Sequence, residues 1–143
     1  MSRKLPKFKP GLTFYCEVRC INDEKLLRGN YAKEYFFEAI EWCQKRYKFN
    51  LLAAKAMPDS IHILLRTIKR GASISVIMFL IMDRIERKYN REMGRAGRFW
   101  ENLYAIYVVE EALNPEKFLS DINEFFGNDQ INNIEMLEAV KVK

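Results

Sequence analysis

Ala56-Met57-Pro58-Asp59-Ser60-Ile61-His62-Ile63-Leu64-Leu65 is the stretch on which the fold turns. Pro58-Asp59 has turn chemistry, since proline pre-sets φ and aspartate hydrogen-bonds its own backbone. From Ser60 onward the side chains of an extended strand alternate. Ser60 and His62 then share one face, and Ile61, Ile63 and Leu65 share the other. Residues 51–57 are also apolar apart from Lys55, so the two segments read as consecutive strands joined at the turn. His62 is the only histidine in the chain.

The pattern extends in both directions. Residues 12–20 alternate, with Phe14, Cys16 and Val18 opposite Thr13, Tyr15, Glu17 and Arg19, as in a half-buried strand. Over 32–47, Tyr35, Phe36, Ala39, Ile40 and Cys43 fall at helical spacing. Gly71 ends a basic loop, and Ser73 is the candidate N-cap of a helix over 74–92. Gly94 and Gly97 punctuate a loop, Trp100 follows, and a fourth strand is expected over 103–109. Asn114-Pro115 opens a last helix through residue 126, stopped by Gly127-Asn128-Asp129.

The order β-α-β-β-α-β followed by a helix predicts an α+β, ferredoxin-like fold. Its antiparallel sheet carries two helices on one face, plus a C-terminal helix. The first and third strands are neighbours in that arrangement. Tyr15, Glu17 and Arg19 then lie beside Ser60, His62, Leu64 and Arg66 on the face away from the two helices. An open, polar sheet face with a histidine at its middle is the expected site.

At 143 residues the chain is one domain, with a basic lead-in at residues 1–11 and a tail at 131–143. The longest apolar run, residues 74–82 interrupted by Ser75, is too short to span a bilayer, and no apolar signal core follows the basic start. A cytoplasmic protein without membrane contact is expected. Cys16, Cys20 and Cys43 lack CxxC spacing and predict reduced, mostly buried thiols. The net charge of +5 is unevenly spread: residues 69–98 are strongly basic and residues 110–138 acidic. That polarity predicts an anion-binding surface. Its candidates are Arg19, Lys69, Arg70, Arg84, Arg87, Lys88, Arg91, Arg95 and Arg98, with a solvated, internally paired helix face as the competing reading.

The residues also carry a family resemblance. The stretch from Ala54 through Met57-Pro58 to His62-Ile63-Leu64-Leu65 is similar to the metal-binding strand of the single-tyrosine HUH transposases, which include the REP-associated tyrosine transposases. Phe14-Tyr15-Cys16-Glu17-Val18-Arg19 resembles their first strand. Ser73-Ile74-Ser75-Val76-Ile77-Met78, running on to Lys88-Tyr89-Asn90-Arg91, resembles their second helix. Gly97-Arg98-Phe99-Trp100-Glu101 and Val108-Val109-Glu110 follow in family order. The match spans residues 13–130.

The resemblance implies a metal-dependent strand transfer. Two histidines hold Mg²⁺ or Mn²⁺, the metal polarises a phosphate of single-stranded DNA, and a helix-borne tyrosine attacks to form a phosphotyrosine. Carried over, the second histidine is His62, and the first position holds Ser60, a poor ligand for such ions. Glu124 stands at the tyrosine position, and Asn128 matches the family asparagine beyond it. Both catalytic elements are therefore changed, and metal binding is expected to be weak or absent. Asp59 and Glu17 are the candidate substitute ligands, and Tyr104 and Tyr107 the candidate substitute nucleophiles. The expectation is a homodimeric, transposase-like protein that recognises single-stranded or hairpin DNA, with cleavage impaired or lost. Its rivals are an active enzyme with a substituted site, and an interaction module without DNA binding that uses the acidic residues 110–138.

Overall fold

The computed structural model describes residues 11–101 and 104–109. Four strands and two helices follow one another: β1 (Thr13–Arg19), α1 (Asn30–Arg46), β2 (Phe49–Met57), β3 (Ser60–Thr67), α2 (Ile74–Glu92) and β4 (Ala105–Val109). The sheet order is β2-β3-β1-β4 and every pairing is antiparallel. This is the expected ferredoxin-like sheet with α1 and α2 packed together on one face. The helix expected over 115–126 and the tail at 131–143 lie outside the described residues.

Local chemistry explains the boundaries. The Ser73 hydroxyl accepts from the Val76 amide at 3.3 Å, capping α2 as its sequence position predicts. Helix α1 ends on Lys45 and Arg46, cations suited to the negative end of its dipole. It starts two residues earlier than the hydrophobic spacing indicates, after Gly29 at φ 90°, a backbone conformation that glycine adopts without penalty. Strand β2 begins at Phe49 because that ring is buried in the core. Met57 pairs with Ser60 across the two-residue Pro58-Asp59 turn.

Phe14, Cys16 and Val18 of β1 and Ile61, Ile63 and Leu65 of β3 face the helices and meet Phe36, Ile40, Ile77 and Ile81. Each buried Val, Ile, Leu or Phe among them stabilises the fold by about 1.5–3 kcal/mol through burial. Trp100 belongs to this core, its Nε1 donating to the Met82 carbonyl at 2.9 Å. All three cysteines are buried and free; burial pushes the Cys16 thiol up to about 12 and those of Cys20 and Cys43 to about 11.

The opposite sheet face corrects one expectation. It is not open: Ser60, His62, Leu64 and Arg66 of β3 are all buried. Its polar groups are partnered within the protein. Ala53 and Leu64 form an apolar cross-strand pair, and the Arg66 guanidinium donates to the Thr13 hydroxyl at 3.1 Å. The rings of His62, Tyr15 and Tyr107 stack side by side at centroid spacings of 6.1 and 5.8 Å. A polar side chain can be sealed in if its hydrogen bonds are met within the protein.

Candidate functional site

The β1–β3 register sets Glu17 opposite His62 and Arg19 opposite Ser60, which brings Tyr15 diagonally onto the imidazole. His62 is 4 % exposed and both of its ring nitrogens are engaged. The Tyr15 hydroxyl lies 2.8 Å from Nδ1, and the Ser60 hydroxyl 2.9 Å from Nε2. Ser60 also lies 3.2 Å from Asp59 Oδ1, a carboxylate that can only accept. With a neutral imidazole, one proton assignment satisfies all three contacts. Ser60 donates to Asp59, Nε2–H donates to Ser60, and Tyr15 donates to Nδ1. The result is a directed chain, Tyr15 to His62 to Ser60 to Asp59.

Electrostatics keep that chain in one state. Burial lowers the His62 pKa, only partly opposed by Glu17, so the imidazole is neutral at pH 7. Burial, reinforced by Glu17, pushes the Tyr15 phenol up to about 12, so it keeps its proton. Arg19 closes the rim, reaching Glu17 Oε1 at 3.0 Å and Asp59 Oδ2 at 3.7 Å.

Tyr15 is the tyrosine that meets His62, a contact that the sequence pattern alone does not specify. The signal was present in the alternation, which puts Tyr15 and His62 on one face, but the diagonal contact depends on strand register. Tyr104 packs against the core on the helix side, and Tyr107 stands half exposed beyond Tyr15. Glu124 and Asn128 lie outside the described residues.

The candidate DNA-binding cations divide by what they touch. Arg95 is a loop clamp: it donates to Asn90 Oδ1 and to the carbonyls of Gly97 and Arg98, at 3.0, 3.2 and 2.7 Å. Arg84 is tied to Glu38 by hydrogen bonds of 2.6 and 3.1 Å, which lower the Glu38 pKa. Arg19 is the rim residue described above. Lys69, Arg70 and Arg98 are exposed on loops. On α2, Arg87 lies 3.0 Å from Asp83, and Arg91 3.5 Å from Glu92. Both arginines are strongly exposed, at 79 % and 72 % of the side chain, so each pair is worth about 0.2–1 kcal/mol at most. Internal pairing thus accounts for Arg84 and Arg95, and much less for Arg87, Lys88 and Arg91.

A family model described as "Transposase IS200 like" matches residues 12–121. The chain belongs to the IS200-like transposase family. Solved structures agree with this IS200-like fold. One is a REP-associated tyrosine transposase bound to a REP hairpin, 15 % identical, covering 87 % of this chain and 74 % of its own, with a TM-score of 0.62. Another, a Deinococcus radiodurans R1 protein described as a transposase, is 16 % identical and covers 90 % of this chain and 98 % of its own, with a TM-score of 0.55. A bacterial tRNA(His) guanylyltransferase-like protein in complex with GTP, 9 % identical, covers 83 % of this chain and 64 % of its own, with a TM-score of 0.52. A nucleotidyltransferase and transposases thus share one scaffold, so the fold alone does not assign a reaction. No curated protein matches the sequence.

Within an IS200-like chain, a divalent metal would be sought at His62. The donor set around it does not fit one. Ser60 offers a neutral hydroxyl where the resemblance calls for an imidazole, and both nitrogens of His62 are held by protein hydrogen bonds. Glu17 and Asp59, the substitute ligands, both face the Arg19 guanidinium. Among the described residues, no group of three His, Cys, Asp or Glu side chains could hold a metal ion. What this arrangement can do is fix a neutral imidazole and knit β1 to β3.

Proposed function

We propose that this IS200-like chain is a transposase-like DNA-binding protein that recognises single-stranded or hairpin DNA, with metal- and tyrosine-dependent strand cleavage impaired or lost. The observation that carries the loss is the hydrogen-bonded state of His62, whose Nδ1 is met by Tyr15 and Nε2 by Ser60. A ligand nitrogen must offer a lone pair to the metal; in the proton assignment above, Nδ1 accepts from Tyr15 and Nε2 carries the proton. Glu124 at the tyrosine position of the resembling motif adds to the same reading. Support for DNA as partner comes from family membership, from the hairpin-bound relative and from the basic residues of α2. Among the described residues, no helix is long and apolar enough to cross a membrane. A homodimer is the expected assembly.

The test combines binding and chemistry. A hairpin oligonucleotide should shift on a gel at low salt and be released as salt rises. Incubation of labelled single-stranded DNA with Mn²⁺ should leave no covalent protein–DNA adduct. An adduct would overturn the loss of cleavage, and failure to bind any hairpin or single strand would overturn the DNA reading.

A further inference from the structure

The helical layer carries a second charged feature, on the side of the sheet remote from His62. Between α1 and α2 lies a groove of about 380 Å³ lined by Trp42, Leu80, Asp83, Arg84, Arg87, Lys88 and Arg91. The guanidinium carbons of Arg46 and Arg84 lie over the Trp42 ring, 4.4 and 4.5 Å from its centroid. The Lys88 ammonium lies over Tyr35 at 5.1 Å. Stacking on the aromatic rings holds these cationic heads in place before any ligand arrives, so less side-chain entropy is lost on binding.

We infer that this α1–α2 groove binds the phosphodiester backbone of a nucleic-acid strand. The inference rests on the DNA-binding reading above and gives it a location. Three observations favour a polyanion. With Arg84 held by Glu38, the cations Arg46, Arg87, Lys88 and Arg91 still outnumber the nearby carboxylates Asp83 and Glu92, so positive charge remains after internal pairing. Arg87 and Arg91 are four residues apart on α2, about 6 Å along the axis, with Lys88 between them in the chain, which presents cations in series. Guanidinium forks suit phosphate oxygens, and the exposed Arg87–Asp83 and Arg91–Glu92 pairs exchange readily for a stronger anion. The two faces of the molecule therefore divide the work. The His62 face is hydrogen-bonded shut, and the helical face meets the strand.

The test uses the full chain with a single-stranded oligonucleotide and, separately, a hairpin. The triple variant Arg87→Gln, Lys88→Gln, Arg91→Gln changes exposed or half-exposed side chains, and circular dichroism checks its fold. The slope of log K against log salt should become shallower by about 2 to 3 units, because roughly three phosphate contacts are lost. A loop control, Lys25→Gln with Arg28→Gln, should keep the wild-type slope. The chain has two tryptophans, and Trp100 is buried, so a nucleic-acid-induced change in emission should survive Trp100→Phe and vanish in Trp42→Phe. An unchanged slope in the triple variant overturns the groove while leaving DNA binding intact. Absence of binding by the wild type overturns both. A loss in the loop control equal to that in the triple variant shows a net-charge effect and also overturns the groove.

Discussion

The two faces of β3 are equally dry and chemically opposite. Toward the helices, Ile61, Ile63 and Leu65 are sealed by Phe14, Phe36, Ile77 and other apolar groups, whose attraction has no preferred direction. Toward the other side, Ser60 and His62 are also buried, at 2 % and 4 % exposure, and their polar atoms are met by directional hydrogen bonds. The first face should tolerate changes that keep volume; the second should tolerate only changes that keep partners. Burial alone does not distinguish them.

Several substitutions probe that contrast, beginning with the largest expected effect. Ile63→Ala should destabilise by about 2–5 kcal/mol, and Ile63→Val by only about 0.5–1.5 kcal/mol, as urea midpoints will show. Equal losses for both would mean that the helix face is not simply packed. His62→Ala removes the acceptor of Tyr15 and the donor to Ser60, and a loss of about 1–3 kcal/mol is expected. A neutral result there would sink the directed hydrogen-bond chain. Tyr15→Phe keeps the ring and removes one donor, so about 1 kcal/mol should be lost in thermal or urea unfolding.

The pH dependence has a definite sign. The folded His62 pKa is depressed below its ordinary value of 6.5, so the unfolded chain binds a proton more readily. Stability is therefore full above about pH 6.5 and is lost as pH falls through the lower folded value. His62→Gln should flatten the stability profile between neutral pH and that window, and an unaltered slope would assign the acid sensitivity elsewhere. The smallest stability effect is expected for Arg87→Ala, within about 0.5 kcal/mol, because its pair with Asp83 is exposed.

Much of this could be read along the chain. The Pro58-Asp59 turn, the alternation of β1 and β3, the Ser73 cap and the buried thiols all follow from local patterns, and the structure reproduces them. The open face did not follow. Alternation tells which side a residue points to, not what lies over that side. Tyr15 and His62 are 47 positions apart, and Arg84 and Glu38 are 46 apart. No local window contains either pair, so periodicity places Tyr15 on the His62 face without specifying that the two meet, and it does not show that Arg84 is held by Glu38.

Sequence by itself determined the order of elements, the ferredoxin-like sheet and the family, because turn chemistry, periodicity and motif order are short-range properties of the chain. Only the tertiary structure decided how His62 is used. An imidazole becomes a metal ligand or a sealed hydrogen-bonding group according to which atoms reach its two nitrogens. Those atoms are delivered by the register of β1 against β3, through contacts that no single segment encodes.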